Sequence, residues 1–215
     1  MSTSTIFVIA ASLVTTAACT TDPAVTTFVG RTSDTDIFVA LSTDGAKTAA
    51  YLCDGDPRAN TPDVSPGVAA WFSTDARDTG SGIDITTDKA GIHVAFGDTA
   101  VGTVSLAGAT FTFDLPSTET AVEAGSDAGF YIGDELVDGK RVLGGWIVLA
   151  DGQQRGAVGF DGGGGIGKTV TGLALAPRTG AITVSGIGLL RVNPINPRSF
   201  DGGGGIGKLP TMGLR

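Results

Sequence analysis

A mostly β fold, an antiparallel meander closed as a barrel or folded as a sandwich, is what this sequence predicts. Three observations carry that expectation. Apolar and polar residues alternate with period two through the middle of the chain, Asp-Gly pairs sit between the apolar runs, and helical periodicity is scarce. The alternation is cleanest where Ile83 and Ile85 flank Asp84, where Ile92, Val94 and Phe96 flank His93 and Ala95, and where Phe111, Phe113 and Leu115 flank Thr112 and Asp114. Successive side chains on a strand point to opposite faces, so each of these runs has one dry and one wet face.

Further strands are expected at 27–32, 36–42, 47–53, 101–107, 129–133, 141–149, 170–176 and 181–192. Asp44-Gly45, Asp54-Gly55, Asp138-Gly139, Asp151-Gly152 and Thr179-Gly180 separate apolar runs, at positions where tight hairpins need positive φ. One or two short helices complete the expectation. Ser65-Pro66 opens a candidate turn through Phe72, with Ser65 as cap and Pro66 at the first position, and Thr120 with Glu123 caps another.

At 215 residues, with 41% hydrophobic and 17% charged side chains, the chain has material for one substantial packed domain. Its 34 glycines suit many turns rather than long helices. The net charge of −8, with no basic stripe, repels phosphate backbones and argues against nucleic-acid binding.

The amino-terminal apolar run, Ile6 to Val14, is too short to span a bilayer and suits a signal-peptide core. Ala17-Ala18-Cys19 follows it, and small residues before a cysteine resemble a bacterial lipobox, in which the thiol is acylated and becomes the first residue of the mature chain. No basic residue precedes the apolar core, and Thr16 stands where a leucine-like residue is usual. The organisation expected is a signal peptide at 1–18, a linker at 19–27, a β domain at 28–199 and a glycine-rich tail at 200–215. Acylated Cys19 would leave Cys53 as the one thiol, expected to be buried on its strand. An unmodified Cys19 would instead allow a Cys19–Cys53 disulfide.

Phe160 to Lys168 recurs unchanged as Phe200 to Lys208, and the first copy, 160–168, is expected to be a glycine-rich loop within the β domain. Gly162 to Thr169 formally matches a phosphate-binding loop. The Val170-Thr171-Gly172 that follows favours a strand, whereas that loop needs a helix amino-terminus behind it. Asp78-Thr79-Gly80 resembles an aspartic-protease signature, but Ala76-Arg77 precedes it in place of an apolar strand and no second copy supplies the other carboxylate. Asp54, Asp56, Asn60 and Asp63 form an oxygen-rich loop without the ligand order of a known calcium loop. His93, the one histidine, falls on the wet side of its strand and is expected to be solvated. Trp71, Trp146 and Tyr131 are expected to be core anchors rather than pocket walls. No catalytic set, metal site or cofactor is assigned from these residues.

Tyr51-Leu52-Cys53-Asp54-Gly55, Val68 to Phe72 and Gly145-Trp146-Ile147-Val148-Leu149 lie in a stretch from about Phe28 to Phe160. This stretch resembles a group of exported actinobacterial β-domain proteins of the lipoprotein type, of unknown function. The resemblance implies an exported β domain and carries no activity or ligand. The function expected is a non-enzymatic binding or surface module of the cell envelope. It would be anchored through Cys19 at the outer face of the membrane, or secreted, and would meet an unknown envelope partner or a small apolar ligand. A β-barrel carrier of a small apolar ligand or lipid is the alternative, and a hydrolase assembled only in the fold is the third reading.

Overall fold

The computed structural model describes residues 24–33, 37–53, 69–75, 82–86, 90–106, 108–137, 140–161, 180–184 and 188–199. The expected signal segment, residues 54–68 and the expected tail at 200–215 lie outside the described residues. Of the glycine-rich loop expected at 160–168, Phe160 and Asp161 instead pair as strand with Val142 and Arg141, and 162–168 lie outside the described residues. The chain is mostly antiparallel β, as its alternation predicts, and the sheets pack as a sandwich rather than closing into a barrel.

The first sheet runs in chain order through β1 (Thr26–Arg31), β2 (Phe38–Thr43), β3 (Thr48–Cys53) and β4 (Ala69–Thr74), each antiparallel to the next. The second repeats that meander with β5 (Ile83–Thr86), β6 (Ala90–Phe96), β7 (Thr99–Leu106) and β8 (Ala109–Pro116). One short helix, α1 (Glu119–Glu123), leads to the third sheet. There β9 (Gly129–Val137), β10 (Lys140–Val148) and β11 (Gln154–Asp161) form a meander. A separate hairpin of β12 (Ala181–Val184) and β13 (Gly188–Arg191) follows, and β14 (Asn193–Pro194) returns to the free side of β9.

Two expectations are corrected. The segment ending at Phe72 is not a helix over its last residues, because Ala69 to Thr74 pair with Thr48 to Cys53 as a strand. A Ser-Pro opening is a local signal, and a full ladder on β3 outweighs it. The run 181–192 is two strands of one hairpin, not a single strand. The second short helix does form, but Thr118 rather than Thr120 stands at its amino-terminal cap.

The first sheet is the middle layer, and its sequence shows why. In β2, Phe38 to Leu41 are all fully buried, and so are Ala49 to Cys53 in β3, so neither strand has a wet face. Val39, Leu41, Ala50 and Leu52 point into one core with Ile83, Ile92, Val94, Val104 and Leu115 of the second sheet. Phe38, Ala40, Ala49, Tyr51 and Cys53 point the other way, against Phe130, Ile147 and Leu149 of the third. The rings of Tyr51 and Phe130 stack there at 6.0 Å. Each fully buried large side chain contributes about 1.5–3 kcal/mol relative to exposure, and a continuous apolar run is how a doubly covered strand reads.

Close approach dictates two glycines. A side chain at Gly102 would drive into the carbonyl oxygen of His93 on the neighbouring strand. On β11, a Cβ at Gly156 would overlap the Trp146 indole, standing 2.5 Å from its Nε1. Trp146 is fully buried, lies opposite Tyr131 on β9, and so serves as the core anchor expected of it.

Candidate functional site

The first two sheets meet along a seam between β1 and β8 that is bonded only at its ends. Thr118 donates its backbone N–H to the carbonyl of Thr27 at 2.8 Å, and Ser33 donates to that of Thr112 at 2.8 Å. Isolated bridges join Phe28 to Ser117 and Thr32 to Phe113. That register sets Val29 opposite Pro116, and proline has no N–H to close the ladder. Glycine at position 30 completes the arrangement, because Leu115 Cδ2 fills the place of its side chain, 2.8 Å from where a Cβ would stand.

Beside the open middle of this seam lies a cleft of about 260 Å³. Val29, Pro116, Ala121, Ala128 and Leu149 give it apolar walls, and Thr118 and Asp151 supply polar atoms. Ser126 braces the wall around Ala128: its hydroxyl accepts from the Ala128 N–H at 3.1 Å and donates to the Ala150 carbonyl at 3.5 Å. The cleft is therefore framed by all the neighbouring elements, β1, β8, α1 and the β10–β11 turn.

Thr118 is the unusual member. Its backbone adopts φ −77° and ψ −11°, a helical conformation, and its side chain makes no capping hydrogen bond. A capping hydroxyl works from an extended residue, so this geometry does not suit Thr118 to that role. Ser117 does the local work instead, accepting the Glu119 N–H at 3.2 Å. Thr118 is only 9% exposed.

Asp151 stands at the rim. Its carboxylate accepts from the Gln153 backbone N–H and from the Gln153 side-chain amide, both at 2.9 Å, and Arg31 approaches to 3.8 Å. Arg31 and Arg155 both lie over the buried ring of Phe38, at 4.8 and 4.3 Å from its centroid. The charge at this edge of the cleft is thus balanced and positioned by an aromatic ring.

Comparison with family models, with curated proteins and with solved structures finds no match. The geometry alone therefore ranks the residues singled out from the sequence. His93 is half-exposed on β6 and pairs through Nδ1 with the Asp84 carboxylate at 2.9 Å, on the wet face where alternation placed it. Its ring leans over Gly82, where a Cβ would stand 3.0 Å from Nε2. Cys53 is buried between the first and third sheets, as expected of a packed thiol. Tyr131 is half-buried and donates its hydroxyl to the Asp127 carbonyl at 2.8 Å; burial, then the Asp127 charge, raises its pKa above the ordinary value of 10.0.

Cys19, the acidic loop of Asp54, Asp56, Asn60 and Asp63, Asp78, and the Gly162–Thr169 segment with Lys168 lie outside the described residues. Among the described residues, no three His, Cys, Asp or Glu side chains gather where one metal ion could bind. No helix among them is long and apolar enough to cross a membrane.

Sequence reasoning missed the cleft. Its walls come from positions as far apart as Val29 and Asp151, and each looks ordinary alone. Pro116 at the end of an alternating strand, followed by Ser-Thr, is the one local signal of an interrupted edge.

Proposed function

We propose that this chain is an exported cell-envelope protein, tethered through an acylated Cys19, whose β domain is a non-enzymatic binding module. Its contact surface is the cleft beside the β1–β8 seam. The observation that carries this reading is a filled interior combined with an open apolar cleft among the described residues. A carrier of the barrel type needs a lumen, but the space between the first and second sheets is occupied by Val39, Leu41, Ile92, Val94 and Leu115, all at most 1% exposed. A hydrolase needs converging, activated groups. The carboxylate lining the cleft, Asp151, is instead held by Gln153 and approached by Arg31.

The amino-terminal apolar run, the Ala-Ala-Cys sequence and the resemblance to exported actinobacterial proteins support export and tethering. A tether at residue 19 leaves the linker before β1 to hold the domain at the membrane surface. Within this reading the partner is another envelope component, and the acidic surface argues against nucleic acid.

A photo-crosslinker at Ala121, in cells producing the full chain, tests the assignment against a control crosslinker at Thr103 on the second sheet. Discrete adducts from Ala121 and none from Thr103 are the expected result. Equal labelling from both positions, or none from either, would contradict it.

A further inference from the structure

Resting on the cleft being the contact surface, we propose that residues 193–199 form a strap that regulates it, latched by Arg198 and Asp44. Latched, the strap keeps the wall around Ala128 and Leu149 rigid. Released, it frees that wall to adjust to a partner.

The strap crosses from the third sheet to the first. Its β14 part pairs Asn193 and Pro194 with Ile132 and Tyr131 of β9. Ile195 then donates its N–H to the Phe130 carbonyl at 2.9 Å. In the turn Pro197–Ser199, Arg198 brings its Nε to 2.7 Å from Oδ2 of Asp44, in the turn between β2 and β3. Ile195 and Pro197 are buried along this path, whereas Asn193, Pro194 and Asn196 are exposed.

The segment is stiff. Proline fixes its own φ and restricts the residue before it, so Pro194 and Pro197 hold Asn193 and Asn196 extended. The strap therefore shifts as one piece. Its two ends are secured differently. Val192, 3% exposed, donates its N–H to the Gly180 carbonyl at 2.7 Å, which fixes the near end beside the β12–β13 hairpin. A charged contact secures the far end. The Asp44 side chain is 3% exposed and that of Arg198 35%, so the guanidinium is the half of the latch that solvent reaches.

The strap and the cleft share a core. Ile195 packs in one buried cluster with Val29, Ala128 and Leu149, and Ala121 lies against that cluster. Those last four residues are walls of the cleft. Interiors are close-packed, so a side chain withdrawn from such a cluster leaves its neighbours unsupported. Ile195 also holds Phe130, two positions along the chain from Ala128. Releasing the strap thus removes a side-chain support and a backbone support from the same wall.

Amide hydrogen exchange of the full chain tests this, with Arg198→Gln as the unlatched variant. The wall amides are suitable reporters, because Ala128 donates to Ser126 Oγ and Leu149 to the Gln153 carbonyl. Exchange should quicken by about 10-fold at Ile195, Ala128 and Leu149, the scale of one charged hydrogen bond. It should stay unchanged at Val94 and Val104 in the other core. Asp44→Asn keeps an oxygen for the Ala46 and Lys47 amides but loses the charge, and should give the same pattern. Arg198→Lys keeps the charge and should restore most of the protection.

Equal quickening at Val94 and Val104 would mean general loosening and would overturn the inference. Quickening at Ile195 alone, or no change anywhere, would overturn it too. The strap and the contact surface fail separately. If Ala121 cross-links to an envelope component while Arg198→Gln leaves exchange unaltered, the surface stands and the strap falls. If exchange follows the expected pattern while Ala121 gives no adduct, the strap stands and the surface falls.

Discussion

Arg198 donates its Nε–H to Oδ2 of Asp44 at 2.7 Å, across 154 positions of sequence. The Asp44 side chain is only 3% exposed, and its other oxygen accepts the backbone N–H groups of Ala46 at 2.9 Å and Lys47 at 2.7 Å. One carboxylate therefore builds the β2–β3 turn and ties the last described turn, Pro197–Ser199, to the middle sheet. Gly45, at φ +79°, supplies the positive-φ residue that this Asp-Gly turn requires.

The Arg198 hydrogen bond, and then those from Lys47 and Ala46, lower the Asp44 pKa from 3.8 to about 2. Depressed in the folded state, this group adds stability above the unfolded value of 3.8 and loses it as pH falls towards 2. Melting temperature should thus drop between those values in the wild type, and Asp44→Asn should flatten that part of the profile. An unchanged slope in the variant would remove Asp44 from the acid transition.

Gly156 and Trp146 form a matched pair, the bare backbone of one seating the indole of the other. Gly156→Ala should destabilise the fold by about 1–3 kcal/mol, the usual cost of overpacking a core. Urea unfolding should show a lower midpoint with an unchanged slope. Trp146→Phe in that background should recover part of the loss, because it removes an indole N–H that has no partner among the described residues.

Phe38 joins the middle sheet to the cleft edge, with guanidiniums of Arg31 and Arg155 over its ring. Phe38→Ala should cost about 3–5 kcal/mol through the cavity it leaves. Arg31→Gln should cost under about 1 kcal/mol at this partly exposed position. Thermal unfolding of the two variants side by side checks the order, and a larger loss from Arg31→Gln would reverse it.

The His93–Asp84 pair is a surface feature. With those side chains 48% and 76% exposed, Asp84→Asn should change stability by under about 1 kcal/mol. Chemical denaturation of the variant measures this, and a loss of several kcal/mol would show that the pair does structural work.

Much of this architecture is legible in period and punctuation. Ile83, Ile85, Ile92, Val94, Phe113 and Leu115 are buried as their alternation demands, and Asp44-Gly45 and Asp151-Gly152 sit at the ends of paired strands. The unbroken apolar runs of β2 and β3 signal burial on both faces, but period alone does not say that β9 and β10 cover the second one. The upstream Ser-Pro is a local helix signal for Trp71 and Phe72, whereas the strand partners they pair with, Tyr51 and Ala50, lie beyond any local window. Thr118 was illegible for a similar reason. Its place beside the cleft arises from a seam between strands far apart in sequence, bridged at Phe28–Ser117 and Thr32–Phe113, and that leaves no mark at position 118.

The central claim, a tethered and exported β module, is tested most directly by the intact mass of the protein isolated from its own cell envelope. The account predicts a chain that begins at Cys19 and carries added acyl mass. A chain that still begins at Met1, with no added mass, would contradict it.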